Sequence, residues 1–385
     1  MSDYQKSKKI KVAWFASSFI GRNASGTAQT ARKLVNNLIE GYSAEVEVIL
    51  IAKNLLEVEL IKNEFLPSQV EIILMPNVTG KVMKSSRQFY KFCLLNRNLD
   101  LDILHFSVPR VYPFFWLFPA KKIVCTFHAG GDVTVPRDFF TISREIYNLI
   151  IKFQWKKFDA IVADSSFASN EITQAYKIPK KFVSTIYLGA DNLWGLDEQD
   201  YERDSNLVLV MGRWQKYKNL HTVINAFKKL EIPNNPNLRL RIIGKNGLLD
   251  KKLKSETLIG FPKHQLELVE HLSDQELAKE YRKASVVYHP SINEGFGLPA
   301  FEAFGEGARV IVHTGTPADE ILSSQIGVVS NDLMDETKVL ESYRAIQAQS
   351  FGNIAERREF IESISATWSK ATKNYLELYT KVLNT

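Results

Sequence analysis

Short apolar runs alternate along the chain with longer segments in which apolar residues recur at helical spacing. Runs typical of buried strands cover residues 10–17, 46–52, 70–75 and 123–127. Between the first two runs, residues 27–40 have one apolar helical face, made of Ala28, Ala31, Leu34, Val35 and Leu38. Strands that alternate with helices in this way predict a parallel, doubly wound α/β sheet.

The second half of the chain repeats the pattern. Its apolar runs lie at residues 207–211, 238–244 and 266–271. A chain of 385 residues exceeds what one hydrophobic core usually supports, so we expect two domains. Polar and charged residues at 201–206 place the linker at about 193–205. The predicted domains are residues 1–195 and 205–365, followed by a terminal helix at 366–385.

The composition excludes several classes of protein. Apolar residues make up 45% of the chain and charged residues 24%, which indicates a folded globular protein. The longest apolar run, residues 111–120, contains two prolines and is much shorter than the roughly 20 residues that span a bilayer. The two cysteines argue against a disulfide framework, and the first residues show no apolar signal region. We therefore expect a cytoplasmic protein.

Positive charge is concentrated in the N-terminal half. Residues 1–195 contain 25 lysines and arginines against 17 acidic residues, and the rest of the chain contains 24 against 26. A helix predicted at residues 81–97 has one basic side, formed by Lys81, Lys84, Arg87 and Lys91. Such a helix either lies on an anionic surface at the inner face of the cell membrane or packs on the sheet with a solvated basic face. We expect no nucleic-acid partner.

Two other stretches leave alternatives open. The aromatic run at residues 111–120 is flanked by Arg110, Lys121 and Lys122, which suits a lipid interface, although packing is the simpler interpretation. Asp100 and Asp102 form a D-L-D triplet of the kind that binds manganese in some transferases. We discount it because a three-residue match is weak and because the triplet precedes a strand instead of ending one.

The most informative stretch is residues 289–302, which read H-P-S-I-N-E-G-F-G-L-P-A-F-E. It places Glu294 and Glu302 around a bend in which Gly295 and Gly297 can adopt positive φ, and Pro299 suits the first turn of a helix. Free backbone amides and two carboxylates fit a ligand that carries both phosphate and hydroxyls, such as a sugar nucleotide. The alternative is that Glu302 only serves its helix terminus and Glu294 is solvated.

Charged residues also follow other predicted strands. Arg213 and Lys218 come after the strand at 207–211, where cations suit a diphosphate, although two solvated surface cations are the alternative. His128 follows the strand at 123–127 and precedes two glycines. A histidine at the carboxyl end of a parallel strand points into the crevice where such sheets bind ligands.

The E-G-F-G-L-P motif with its paired glutamates resembles the retaining glycosyltransferases of family 4. The resemblance implies a GT-B fold, with two Rossmann-like domains facing a central cleft and a terminal helix that crosses back onto the first domain. It also implies that Arg213 and Lys218 stabilise the leaving diphosphate, that Glu294 holds the sugar and Glu302 the ribose, and that His128 reaches the donor sugar. The other donor-binding positions that it implies are Gly295, Phe296, Gly297, Leu298, Gly26, Thr27, Gly244, Lys245, Leu272, Gly315 and Thr316.

The resemblance has one clear departure and leaves other functions open. The family usually has a proline after the helix that carries the second glutamate, and this chain reads Gly307, Ala308 and Arg309 there. We expect a retaining, metal-independent hexosyltransferase that uses a nucleoside-diphosphate sugar, no cofactor, and a glycan or lipid-linked acceptor of surface polysaccharide assembly. The alternatives are a sugar-nucleotide epimerase or phosphorylase on the same fold, and a non-catalytic sugar-binding or membrane-scaffold protein.

Overall fold

The computed structural model describes residues 8–20, 26–75, 82–128, 142–197, 199–244 and 251–385, the side chains of 82–85 and 142–144 excepted. The chain divides into two compact units. The N-terminal unit comprises Met1–Ile186 together with Trp368–Thr385, and the C-terminal unit comprises Tyr187–Thr367.

The N-terminal unit is built on a seven-stranded parallel sheet in the order β3-β2-β1-β4-β5-β6-β7. Its five inner strands are largely buried on both faces, as the uninterrupted apolar runs predict, whereas its two edge strands are partly exposed. They are β1 Ile10–Phe15, β2 Val46–Ala52, β3 Val70–Leu74, β4 Ile103–Phe106, β5 Lys122–Phe127, β6 Ala160–Ala163 and β7 Val183–Thr185.

The helices of this unit cover the sheet on both faces. They are α1 Gly26–Gly41, α2 Leu55–Glu64, α3 Val82–Leu95, α4 Ile142–Gln154 and α5 Ser166–Tyr176. All five apolar residues predicted for the inner face of α1 are buried. The side chain of Ser165 caps α5 by accepting a hydrogen bond from the Ala168 amide, which stabilises the start of that helix.

The C-terminal unit contains a six-stranded parallel sheet in the order β10-β9-β8-β11-β12-β13. Its strands are β8 Asp204–Met211, β9 Arg239–Ile243, β10 Leu266–Val269, β11 Ala284–His289, β12 Val310–His313 and β13 Val328–Asn331. Its helices are α6 Leu220–Ala226, α7 Lys251–Leu258, α8 Asp274–Lys283, α9 Leu298–Gly305, α10 Pro317–Leu322, α11 Glu336–Gln347 and α12 Ile354–Ser363. A capping box of Ser273 and Glu276 begins α8, as the S-D-Q-E sequence predicts.

Arg309 explains how the C-terminal unit tolerates the missing proline. Its buried guanidinium donates to the carbonyls of Ser285, Ile346, Gln347 and Gln349, and it lies 4.0 Å from the centre of the Phe351 ring. These bonds tie the start of β12 to β11 and to the end of α11. Gly307 adopts a φ of 79°, which only glycine adopts easily, and so makes the turn two residues before Arg309.

The terminal helix, α13 Trp368–Leu383, belongs to the N-terminal unit, as the resemblance to family 4 predicts. Tyr379 and Tyr375 are buried there. The Tyr379 hydroxyl lies 2.5 Å from Nδ1 of His105, and the Tyr375 hydroxyl lies 2.9 Å from the Thr126 hydroxyl, which in turn contacts Nε2 of His105. Burial, followed by the nearby His128, holds the pKa of His105 well below its usual value. His105 is therefore a structural residue that links β4 to β5 and α13.

Candidate functional site

The C-terminal unit brings three of the predicted catalytic residues to one edge of its sheet. Arg213 and Lys218 follow β8, and Glu294 follows β11, the strand paired with β8. Because parallel strands end at the same edge, the two loops meet there. The Ile292 amide donates a hydrogen bond to the Tyr217 carbonyl at 2.9 Å, which fixes the two loops against each other.

Lys218 and Glu294 form an ion pair at this edge. Nζ of Lys218 donates a hydrogen bond to Oε1 of Glu294, and their side chains are only 15% and 17% exposed. Burial alone would raise the pKa of Glu294, but the charge of Lys218 and the nearby His289 together hold that pKa below its usual value. The carboxylate is therefore ionised and held in one orientation, so it can serve as a hydrogen-bond acceptor for a ligand.

Arg213 follows β8, as Lys218 does, but its side chain has a different environment. Its side chain is half-buried and makes no hydrogen bond or ion pair with any residue in the described ranges. A guanidinium offers five donors in a planar fork that suits a phosphate. Its donors are available to an anionic ligand without breaking a contact within the protein.

The glycine-rich bend is only partly as predicted. Gly297 has a φ of 92° and precedes α9, whereas Gly295 does not adopt the positive φ expected for it. Glu302 is the fifth residue of α9 and so begins its second turn, not the first. Its Oε1 accepts a hydrogen bond from the side-chain amide of Asn192 at 3.2 Å. The two glutamates are therefore held separately, Glu294 by Lys218 and Glu302 by Asn192.

The side chain of Phe296 is part of the core. It stacks on Phe301 at a ring distance of 4.3 Å and contacts Tyr187 at 5.7 Å. Only its main chain can contact a ligand. Leu298, the first residue of α9, is half-buried.

The close approach of two strand ends accounts for Gly244. A Cβ atom at this position would lie 1.9 Å from the carbonyl oxygen of Gly212, so only glycine fits. Gly244 thus holds the ends of β8 and β9 together, whatever it does for a ligand. The neighbouring Lys245 lies outside the described residues. Leu272 is half-buried in the turn before α8.

The donors predicted at Gly315 and Thr316 are used within the protein. The Gly315 amide donates to Oδ2 of Asp319 at 2.7 Å, and the Thr316 hydroxyl donates to the His313 carbonyl while it caps α10. These contacts form the start of a short helix. A ligand would have to compete with Asp319 for the Gly315 amide.

In the N-terminal unit, His128 follows β5 as predicted and is fully engaged. Its Nε2 lies 2.8 Å from the Ser107 carbonyl, and its Nδ1 contacts Oδ2 of Asp164, whose side chain is 2% exposed. Both acceptors are satisfied when the ring carries a proton on each nitrogen. Gly26 and Thr27 begin α1.

The basic helix is present as α3, with Arg87 and Lys91 exposed and Phe89 and Cys93 buried. Leu94, assigned to the apolar side, is instead exposed, while Phe92 is buried. Lys81 and the side chain of Lys84 lie outside the described part of the chain. Within that part, no helix is long and apolar enough to cross a membrane.

Both aspartates of the D-L-D triplet form ion pairs with lysines, and one also accepts a main-chain hydrogen bond. Asp102 forms an ion pair with Lys121 at 2.6 Å and accepts a hydrogen bond from the Lys11 amide, and Asp100 pairs with Lys8 at 3.0 Å. The described residues include no group of three histidine, cysteine or acidic side chains arranged to hold a metal ion.

Two residues of the site were not identified from the sequence. His289 is the last residue of β11, and its Nε2 lies 3.4 Å from Oε1 of Glu294. The sequence could have indicated it, because it stands at the carboxyl end of a strand, close to where His128 stands relative to β5. Asn192, which holds Glu302, is 110 positions away in the sequence. No local pattern indicates that contact.

Comparison with known proteins gives the family. Residues 24–192 match the family model described as Glycosyltransferase Family 4, and residues 197–336 match the one described as Glycosyl transferases group 1, so the two models together span most of the chain. The O-antigen chain mannosyltransferase RfbU of Salmonella typhimurium is 23% identical over 384 residues, which cover 92% of this chain and 99% of that protein. The serotype-specific mannosyltransferase WbdA of Escherichia coli is 24% identical over 62% of this chain, but the match covers only 31% of WbdA.

Solved structures share the fold. Sucrose-phosphate synthase from Thermosynechococcus elongatus superposes with a TM-score of 0.72 at 15% identity, over 98% of this chain and all of that one. HepE from Anabaena, solved in complex with UDP and glucose, superposes with a TM-score of 0.62 at 13% identity, over 97% of each chain. The two parallel sheets and these structures identify the fold as GT-B, and the two family models identify the chain as a glycosyltransferase of family 4.

Proposed function

We propose that the protein transfers a hexose from a nucleoside-diphosphate sugar to a glycan or lipid-linked acceptor, with retention of anomeric configuration and without a metal ion. The arrangement that carries this proposal is the Lys218–Glu294 pair together with Arg213, which follows the same strand as Lys218 and whose side chain has no partner among the described residues. The names of the relatives support mannose as the sugar and bacterial O-antigen assembly as the setting. A neighbour in the same fold, HepE, was solved with UDP and glucose, which supports a nucleotide-sugar donor.

Arg213 and Lys218 would neutralise the leaving diphosphate. Negative charge develops there as the glycosidic bond breaks through an oxocarbenium-like state, so fixed positive charge lowers the barrier. Arg213 is ready for this role, while Lys218 must exchange the Glu294 carboxylate for a phosphate oxygen. The loss of one such donor typically costs about 3 kcal/mol of transition-state stabilisation.

The carboxylates would hold the parts of the donor that carry hydroxyls. Oε2 of Glu294 faces neither Lys218 nor His289 and can accept hydrogen bonds from the sugar, while Glu302 would hold the ribose. The main-chain amides at residues 295–298, next to the start of α9, suit a phosphate. The departing phosphate would accept the proton of the acceptor hydroxyl, so no side-chain base is required.

We also propose that the N-terminal unit binds the acceptor near His128 and attaches to an anionic membrane. Besides Arg87 and Lys91 on α3, three short turns support the membrane contact: Phe115–Leu117 before β5, Trp155–Lys157 before β6 and Lys180–Phe182 before β7. The three strands are neighbours and parallel. The turns therefore line the amino edge of the sheet, opposite to the edge that carries His128.

This amino edge combines exposed apolar side chains with lysines. Phe114, Leu117 and Phe182 are about half exposed, and Phe153 at the end of α4 is 74% exposed. Trp155 contacts Phe182 at a ring distance of 5.4 Å, so two of the turns touch. Aromatic and basic side chains side by side are typical of surfaces that enter the interface of an anionic bilayer.

Binding to vesicles tests the membrane contact. In sedimentation with phosphatidylglycerol vesicles, each lysine removed should weaken binding about fivefold. The double variant Lys156→Ala with Lys157→Ala should therefore bind about 25-fold more weakly than the wild type. The matched control replaces Lys251 and Lys252, two adjacent exposed lysines of the C-terminal unit, with alanine. Equal losses in both double variants would mean that net charge alone drives the binding and would reject this surface.

Donor binding and turnover test the proposed reaction. Calorimetry with GDP-mannose, UDP-glucose and other nucleotide sugars, in the presence of a chelator, should find one donor that binds to the wild type. Incubation with lipid-linked or free glycans should then release the nucleoside diphosphate and give a product with the donor's anomeric configuration. An inverted product would reject retention, and a bound sugar nucleotide with no turnover would favour the non-catalytic binding protein.

A further inference from the structure

His289 is a buried side chain without an apparent structural role. It stands at the carboxyl end of β11, is 3% exposed, and neither of its ring nitrogens completes a hydrogen bond with a described residue. The Nε2 atom is 3.4 Å from Oε1 of Glu294. Buried polar groups are almost always hydrogen-bonded, so an unsatisfied one at a candidate site calls for an explanation.

The surroundings of His289 leave it facing Glu294. A Cβ atom on Gly297 would lie 3.4 Å from Nε2, so Gly297 lies against this side of the ring. Lys218 donates to the same oxygen, Oε1, that Nε2 approaches. Nζ of Lys218 and Nε2 of His289 thus approach the same carboxylate oxygen from neighbouring segments, and Lys218 makes the hydrogen bond.

The position of His289 beside Oε1 becomes important when Lys218 binds a diphosphate. If Lys218 turns to a diphosphate, it leaves a carboxylate that is only 17% exposed without its counter-charge. A buried charge that loses its partner is strongly destabilised. A movement of a few tenths of an ångström would bring Nε2 of His289 into hydrogen-bond distance of Oε1, since such bonds are typically about 2.9 Å long.

We propose that His289 is a positioning residue that takes over Oε1 of Glu294 when Lys218 turns to the diphosphate of the donor. The inference rests on the proposed function, because it requires a donor that carries both a diphosphate and sugar hydroxyls. With Oε1 held by His289, the other oxygen of Glu294 stays in place for the sugar. Lys218 is then free to follow the leaving group.

Two conservative variants separate this role from mere packing. In His289→Gln the side-chain amide can occupy the position of Nε2 and donate to Glu294, whereas in His289→Asn the amide is too short to reach. We expect His289→Asn to lower kcat for donor turnover by more than about tenfold, the typical effect of losing a hydrogen bond to a charged group. His289→Gln should retain most of kcat. His289→Asn should also bind the free nucleoside diphosphate more weakly than the wild type, because Lys218 then leaves Glu294 without a partner, whereas His289→Gln should bind it as the wild type does.

A double-mutant cycle supplies the decisive readout. If His289 acts through Glu294, His289→Asn should not lower kcat further in a Glu294→Gln background. An equal loss in both backgrounds, or equal rates for the glutamine and asparagine variants, would overturn the proposal. Thermal unfolding establishes that each variant is folded. A wild type that turns over no sugar nucleotide would instead reject the proposed function and this inference with it, and that result appears before any variant is made.

Discussion

The two units differ in how they treat polar side chains at the carboxyl ends of their strands. In the N-terminal unit, both ring nitrogens of His128 contact acceptors, and His105 is bonded to Tyr379 and Thr126. In the C-terminal unit, Arg213 and His289 make no side-chain hydrogen bond with any described residue. A satisfied group stabilises the fold, whereas an unsatisfied cation costs stability and remains available to an anion. The groups that are ready for a ligand therefore lie in the second unit.

The replacement Arg213→Ala should give the largest effect and tests this difference directly. We expect kcat/KM for donor turnover to fall by about 10²–10³, the typical cost of losing one electrostatic donor to a developing charge. The midpoint of thermal unfolding should not fall, because the guanidinium has no partner to lose among the described residues. Steady-state kinetics and calorimetric unfolding measure the two quantities on the same preparation.

Arg239 provides the matched control for Arg213. It is an arginine of the same unit whose guanidinium pairs with Asp204 near the surface. Arg239→Ala should leave donor turnover unchanged and alter stability by less than about 1 kcal/mol, since exposed ion pairs contribute little. Similar kinetic losses in both variants would show that the net charge of the unit, not the position of Arg213, governs donor binding.

His128→Leu should show the opposite behaviour, with stability affected first. The replacement leaves the carboxylate of Asp164 and the carbonyl of Ser107 without this donor, and a buried acceptor that loses its partner costs about 1–3 kcal/mol or more. The variant should unfold at lower denaturant concentration and still bind the nucleoside diphosphate through the C-terminal unit. Adding Asp164→Leu should recover part of the stability, because both partners are then apolar. If His128→Leu is as stable as the wild type, the contrast between the units does not hold.

The strands and the class of fold follow from the sequence for a simple physical reason. Parallel strands buried on both faces must be apolar throughout, so their runs are visible locally, as at β2, whose predicted and observed limits coincide. The E-G-F-G-L-P motif likewise carries its own geometry, because Gly297 must adopt a positive φ before α9. Short-range patterns of this kind need no knowledge of distant residues.

What the sequence did not indicate depends on distant contacts. Whether Arg213 has a partner is decided by side-chain positions that no motif encodes. The pairing of Lys218 with Glu294 joins residues 76 positions apart, and both were assigned to the donor but not to each other. The role of each residue could thus be assigned from a motif. That Lys218 and His289 both approach the same oxygen of Glu294 is visible only in the structure.

Glu294 should make the stability of the folded protein depend on pH. In the folded protein its pKa lies below the usual value, because Lys218 and His289 outweigh the effect of burial. A depressed carboxyl pKa contributes stability above the unfolded value of about 4.3, and this contribution is lost as the pH falls through the folded value. The stability of the wild type relative to Glu294→Gln should therefore stay nearly constant between pH 7 and about pH 5 and decrease as the pH falls below about 4. Lys218→Met should weaken this dependence, and an unchanged profile in that variant would contradict the ion pair.

The smallest effect is expected at Thr316, a predicted ligand contact whose hydroxyl also caps a helix. Its hydroxyl caps α10 by accepting from the Asp319 amide, and loss of such a cap typically costs about 1 kcal/mol. Thr316→Ala should therefore lower the unfolding free energy by about that amount, while Thr316→Ser should retain the cap. Because the Gly315 amide beside it is held by Asp319, the donor affinity measured by calorimetry should be the same in both variants. A loss of affinity in Thr316→Ala alone would mean that the start of α10 binds the donor in addition to Arg213. Side chains that are hydrogen-bonded within the protein would then also contribute to donor binding.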